Sequence, residues 1–185
     1  MLGYINTGED AIANFVEISG YFVDLAGKMS IRSKRESGAV DELPVQGHDL
    51  QKFHGCYVCI HGEIQQYRDE ERHTHMYIFV KEIQPCDKSV KLNRFKISGE
   101  ICGKPKYRKT PKGIEISDFV LINRSPEHRP YFLNCIAWGT NARRVAILHS
   151  NDEIAITGRM QSRVYKQDRV AYELSVNKIL IQSVL

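Results

Sequence analysis

An all-β protein, one small architecture built twice in tandem, is what this sequence of 185 residues predicts. Three observations carry the expectation: short segments that alternate at the two-residue period of a strand, an internal repeat, and a change of charge sign near the middle of the chain. The repeat sets "NFVEISGYF" (14–22) beside "NRFKISGEI" (93–101), and "YVCIHGEIQQY" (57–67) beside "IAITGRMQSRV" (154–164). Each copy opens and closes alike.

Taken in order, the first copy offers strands at 14–22, "KMSIRSK" (28–34) and "AVDELPV" (39–45), a short helical candidate "DLQKF" (49–53), then strands at 57–67 and "HMYIFVKEI" (75–83). The second repeats the order with 93–101, "IEISDFVLINR" (114–124), "YFLNCIAWG" (131–139), the helical candidate "NARRVAIL" (141–148), 154–164 and "AYELSVNKILI" (171–181). Five strands with a helix between the third and fourth is the order of an OB-fold, a five-stranded Greek-key barrel whose second and third strands often face an oligonucleotide. Two tandem OB-folds are therefore expected. In "QPCDKSVKL" (84–92) a proline and polar residues interrupt the strand pattern, which sets the expected domains at 1–88 and 89–185.

Composition is that of a soluble globular chain, 42% hydrophobic and 26% charged. There is no run of eighteen apolar residues, and "MLGYINTGED" is acidic where a signal peptide is basic and then apolar, so a cytoplasmic protein without a membrane span is expected. Five cysteines, Cys56, Cys59, Cys86, Cys102 and Cys135, are an odd number and suggest free thiols. "CYVC" lies near His54, His61, His73 and His75, but strand spacing points Cys56 and Cys59 to opposite faces and no second CxxC completes a site. Neither metal nor cofactor is expected.

Charge divides the copies. Residues 1–88 carry nine Lys+Arg and fourteen Asp+Glu, net −5, and residues 89–185 carry seventeen and eight, net +9. A basic domain suits a polyanion because neutralising phosphates releases counterions, while an acidic one repels it. In "YFLNCIAWG" one face carries Phe132, Asn134, Ile136 and Trp138, the other Tyr131, Leu133, Cys135 and Ala137. A barrel has one interior, so one of these faces is left to another partner. "ITGRMQSRVY" (156–165) sets Ile156, Gly158, Met160, Ser162 and Val164 against Thr157, Arg159, Gln161, Arg163 and Tyr165. On a neighbouring strand, those arginines and that tyrosine join the aromatic rings in a platform for unpaired bases and their phosphates. "KPKYRKTPKG" (104–113) reads as a basic turn between the first two strands, with Lys106, Arg108 and Lys109 within reach of phosphate. The first copy has Glu63 and Tyr67 where the second has Arg159 and Arg163, and no aromatic in its third strand. It is expected to serve as an accessory or protein-interaction domain.

These residues resemble the bacterial single-stranded DNA-binding protein family over about 93–183: "GKPKYRKTPKGIEISDFVLINR" is similar to its first hairpin, "CIAWG" to its third strand and "GRMQSRVY" to its fourth. The whole chain, including "ELPV" and "EIQPCD", is similar to a tandem-domain form found in clostridia and relatives. The resemblance implies sequence-nonspecific binding of single-stranded DNA in replication, recombination or repair, with stacking at Phe132, Trp138 and Tyr165 and backbone contacts at Arg108 and Arg163. Lys109 and Asn134 depart from the family pattern, which often has an aromatic and a basic residue there. The family's acidic, Phe-containing tail does not follow "KILIQSVL", which shifts the expected recruitment of proteins to the acidic first domain. Four OB-folds are common in the family, so a homodimer is expected by analogy. The alternatives are a structured-RNA or tRNA binder on the same fold and a structural adaptor acting through the acidic half. No nucleophile elbow, Walker loop, HExxH or zinc-deaminase signature points to an enzyme.

Overall fold

The computed structural model describes residues 13–125, 128–165 and 169–181, without the side chains of Tyr165 and Ile181. Among the described residues the order is β1 (Asn14–Leu25), β2 (Lys28–Lys34), β3 (Val40–Gln46), β4 (Tyr57–Arg68), β5 (Thr74–Pro85), β6 (Asn93–Lys109), β7 (Glu115–Asn123), β8 (Tyr131–Trp138), α1 (Thr140–Ala146), β9 (Glu153–Tyr165) and β10 (Arg169–Ile181). Between β3 and β4 the chain makes a single 3-10 turn, Gln51–Phe53. Three residues cannot nucleate an α-helix. The turn instead follows Leu50, which is buried in the core.

Strand pairing closes two rings. In the first, β1 pairs with β2 and β4, β2 with β3, β3 in parallel with β5, and β5 with β4. The second repeats this with β6 on β7 and β9, β7 on β8, β8 in parallel with β10, and β10 on β9. The alternating inward residues fill each ring: Ile18, Phe22, Ile31 and Ile60 in one, Ile97, Leu121, Leu133 and Ile156 in the other are fully buried. Each such side chain stabilises the fold by about 1.5–3 kcal/mol relative to exposure.

The internal repeat has a physical cause at its glycines. Gly62 and Gly158 hold the same place in β4 and β9, and a Cβ there would lie under 3.0 Å from the carbonyl oxygens of Phe79 and Ser175. Only glycine lets the neighbouring backbone approach so closely.

The two rings join through their first strands. β1 and β6 pair antiparallel, with Asn14 opposite Ile97, Val16 opposite Phe95 and Ile18 opposite Asn93. Because Asn14 and Asn93 are equivalent in the repeat, this register relates the copies by a local two-fold axis at Val16 and Phe95. Contacts across and beside the seam accordingly come in pairs. Ser19 N–H donates to the Leu92 carbonyl and Ser98 N–H to that of Ala13, both at 2.9 Å. The Asn14 amide bonds both backbone groups of Ile64 (2.8 and 2.9 Å), and the Asn93 amide those of Met160 (2.9 and 2.9 Å).

One pair of seam contacts has diverged. Gln66 bonds the Phe132 carbonyl (2.7 Å) and N–H (2.8 Å). At the related place Ser162 Oγ accepts from Glu42 N–H (3.2 Å), and Asp41, whose side chain is fully buried, accepts from Ser162 N–H (2.7 Å) and from Arg35 (2.5 and 2.6 Å). A buried carboxylate is tolerated here because both oxygens are occupied by donors, two of them cationic.

Two sequence expectations are corrected. "KPKYRKTPKG" is not a turn throughout: β6 continues to Lys109, and only 110–114 turns, with Thr110 N–H on the Ile114 carbonyl and Gly113 N–H on that of Thr110. Pro105 fits inside the strand because it falls in the irregular register between Cys102 and Lys106, where the ladder needs no donor from it. Nor is β9 a neighbour of β8, since β10 enters between them parallel to β8. A parallel partner needs a long connection that local pattern does not reveal.

Removal of the Asp41 carboxylate leaves a buried N–H and a guanidinium without their acceptor. Asp41→Ala is expected to lower stability by about 3–5 kcal/mol, read as a shift in the midpoint of urea unfolding at unchanged slope.

Candidate nucleic-acid interface

Strand β8 resolves which of its faces is core. Tyr131, Leu133, Cys135 and Ala137 point inward and are buried, while Phe132 (47% exposed), Asn134 and Trp138 (38% exposed) point outward. Ile136 belongs to the outward set by register but is covered. Ile116 of β7 lies opposite both Arg108 of β6 and Trp138 of β8, so the guanidinium and the indole leave the same face of the sheet, two strands apart. Lys106 shares this face, opposite Asp118. Lys109 does not. It is opposite Glu115 beside Tyr107, on the reverse side, and the structure does not bring it to the other candidates.

On the other flank of β8, Ser175 of β10 is opposite Ile136 and Arg159. Trp138 Nε1–H donates to Ser175 Oγ at 3.2 Å, which fixes the ring over β10. Arg159 Nε is buried without a partner among the described residues. Its Nη2 donates to Gln161 (3.4 Å), Gln161 to Glu173 (3.2 Å), and Arg163 binds Glu173 Oε1 through Nη2 (2.6 Å) and Nε (3.2 Å). Gln161 is buried in this chain of contacts. Beyond Ser162 the alternation of β9 stops separating core from solvent: Val164 is exposed, because only β10 accompanies β9 there. Tyr165 pairs with Arg169 through its backbone, and its side chain lies outside the described residues.

The outward face is therefore less bare in charge than the sequence suggests. Arg163 faces Glu173, and Arg108 bonds Asp118 at 2.8 Å. Glu173 and Asp118 sit on different strands from the arginines they bind, and only the register brings them there. On the reverse side Tyr107 donates to Glu115 (2.6 Å), which holds that carboxyl below its usual range with help from Arg143, and raises the phenol's own pKa. Burial, then the nearby Cys86 thiol, push the Cys59 thiol up, and burial pushes that of Cys135 up. No group of three or more His, Cys, Asp or Glu among the described residues is placed to hold a metal ion. No helix of the described residues is long and apolar enough to cross a membrane.

Sequence reasoning missed a second feature beside this face. A groove of about 1160 Å³ opens between the β4–β5 hairpin of the first copy and β8–β10 of the second, with Tyr67, Arg68, His75, Phe132, Arg129 and Arg169 among its walls.

β8 thus presents Phe132 and Trp138 on an outward face that also carries Arg108 and Lys106. Residues 92–184 match the family model described as "Single-strand binding protein family", and the chain belongs to that family. It is 29% identical over 100 residues to the single-stranded DNA-binding protein of Halalkalibacterium halodurans and 32% identical over 85 residues to single-stranded DNA-binding protein A of Bacillus subtilis. These alignments cover 50% and 42% of this chain and 59% and 49% of the relatives, so the chain spans about half the length of the curated relatives it matches. The likeness in fold runs further. The wild-type single-stranded DNA binding protein of Thermus aquaticus superposes with a TM-score of 0.74 at 18% identity over 94% of this chain and 95% of that one. A deletion mutant of that protein gives 0.70 at 19% identity, covering 92% and 94%.

Trp138 is the sole tryptophan, so its emission reports this face alone. Acrylamide is expected to quench it in the free protein. Trp138→Ala is expected to cost well under the roughly 3–5 kcal/mol of a buried tryptophan in urea unfolding.

Proposed function

We propose that the chain binds single-stranded DNA with little sequence preference. Bases stack on Phe132, Trp138 and Tyr165, and Arg108, Arg159, Arg163 and Lys106 neutralise phosphates. Lys109 is left out. The observation that carries the reading is the pair of exposed rings, Phe132 and Trp138, standing out of one strand on the face that also bears Arg108. A ring accepts any base, which suits binding without sequence preference, and an alanine substitution removes about 1–3 kcal/mol of stacking.

Each five-stranded ring is read as an OB-fold, with 1–88 as the acidic half and 89–185 as the basic half. The processes served are replication, recombination or repair, in the cytoplasm. The chain acts as a binding module rather than an enzyme, and two chains bring four OB-folds together. Family membership and the fold shared with the Thermus aquaticus protein support this reading.

Titration of the whole chain with oligo-dT is expected to quench Trp138, and added salt is expected to reverse the effect with a log-log slope near −0.7 per neutralised phosphate. Trp138→Ala is expected to weaken binding by about 1–3 kcal/mol. Preference for a folded RNA over oligo-dT in competition would favour the RNA-binding alternative instead.

Glu173 gives a second test, because it occupies Arg163. Glu173→Gln is expected to raise affinity for oligo-dT several-fold and steepen the salt slope by about 0.7, as one more guanidinium reaches phosphate. Unchanged affinity would place Arg163 outside the path.

A further inference from the structure

The strap that joins the two copies runs from the end of β5 at Pro85 to the start of β6 at Asn93, and it is tied down on the first copy. Ser19 Oγ donates to the Val90 carbonyl (2.9 Å) and accepts from Leu92 N–H (2.8 Å), and the Tyr57 hydroxyl donates to the same Val90 carbonyl (2.8 Å). Lys88 stands over the Tyr21 ring at 5.2 Å and Lys91 over that of Tyr57 at 5.3 Å. The first residue of the strap, Cys86, donates its N–H to the Tyr57 carbonyl at 3.1 Å.

A second thiol lies beneath this end of the strap. Cys59 of β4 is opposite Ser19 of β1 on one side and Gln84 of β5 on the other. Cys86 follows Gln84 by two residues, so its side chain returns to the side of the sheet that Cys59 occupies, as a diagonal neighbour. The sulfurs are in contact at 2.7 Å. A disulfide needs about 2.05 Å, so roughly 0.7 Å of movement closes the bond. Cys59 therefore meets Cys86, 27 positions away, and not Cys56 of its own CxxC pair. The two thiols differ in access: Cys59 is buried and Cys86 half-buried. Burial, then the adjoining Cys86 thiol, keep Cys59 protonated, which leaves Cys86 as the sulfur that meets an oxidant first.

We infer that Cys59 and Cys86 are a site of reversible oxidation, at which a peroxide converts the thiol pair to a disulfide that fastens the strap to the first copy. The Cys86 thiolate attacks one oxygen of hydrogen peroxide, the O–O bond breaks, and the departing hydroxide takes up the proton lost by Cys86 to become water. Cys86 is then a sulfenic acid. The Cys59 sulfur attacks the Cys86 sulfur, the S–O bond breaks, and the departing hydroxide takes the Cys59 proton to become a second water. Two thiols have lost two electrons and two protons, and the peroxide is reduced to two waters. Two molecules of a small thiol, which become its disulfide, restore the pair by exchange, so in a reducing compartment the bond forms only under oxidant. Once formed, it closes the base of the β4–β5 hairpin and takes freedom from the unfolded chain.

The test treats the full chain with about one molar equivalent of hydrogen peroxide, removes the excess, and reads free thiols in denaturant, peptide links by mass spectrometry without reduction, and urea unfolding. Free thiols are expected to fall from five to three and to return with dithiothreitol. The link is expected to join Cys59 to Cys86 in the parent and equally in Cys56→Ser, so the pair itself is tested unaltered. The oxidised chain is expected to unfold at a higher urea concentration than the reduced one, and Cys86→Ser is expected to lose both the link and this difference. Five thiols remaining after peroxide, a link through Cys56 or between two chains, or Cys86 recovered as sulfinic acid beside a free Cys59 would each overturn the inference. Equal urea midpoints for the oxidised and reduced parent would do the same.

Discussion

The structure depends first on the antiparallel pairing of β1 with β6. Both strands carry the same repeated segment, and an antiparallel register between equivalents is self-complementary, so each contact made in one direction is available in the other. The seam leaves neither first strand with an unpaired edge. It also dictates where everything else sits: once Val16 and Phe95 lie on the axis, the fourth strand of each copy meets the third strand of the other, at Gln66 with Phe132 and at Ser162 with Glu42. The groove and the latch are two outcomes of one geometry.

Divergence within that symmetry separates the copies. A carboxylate at Asp41 pulls Arg35 and Ser162 together and closes one seam. At the other, Gln66 supplies a neutral amide that satisfies the same kind of backbone groups without drawing a cation in. Arg68, Arg129 and Arg169 in the groove there face no carboxylate among the described residues. Local pairing, not total charge, decides which cations face a ligand, because a guanidinium beside a carboxylate has already met its strongest partner. The basic half engages Arg163 and Arg108 with Glu173 and Asp118.

Strand alternation, the internal repeat and the two possible faces of β8 are properties of residues near one another in the chain, and they were legible in the sequence. Phe132, Asn134 and Trp138 could be grouped on one face from spacing alone, because successive side chains of a strand must diverge. Membership of the family rests on motifs of the same local kind, "CIAWG" and "GRMQSRVY" among them.

Tertiary structure alone decided the rest. It chose Tyr131 and Leu133 for the interior, placed β10 between β8 and β9, extended β6 through the basic segment to Lys109, and turned Lys109 away from the other candidates. It gave Arg163 its carboxylate and the first copy its place beside Phe132. Each of these turns on a partner distant in the chain: Glu173 reaches Arg163 through a strand register, and Gln66 reaches Phe132 across a seam. A sequence specifies how one strand alternates, but which strand lies beside it follows from the free energy of the whole set of pairings and of the core they enclose.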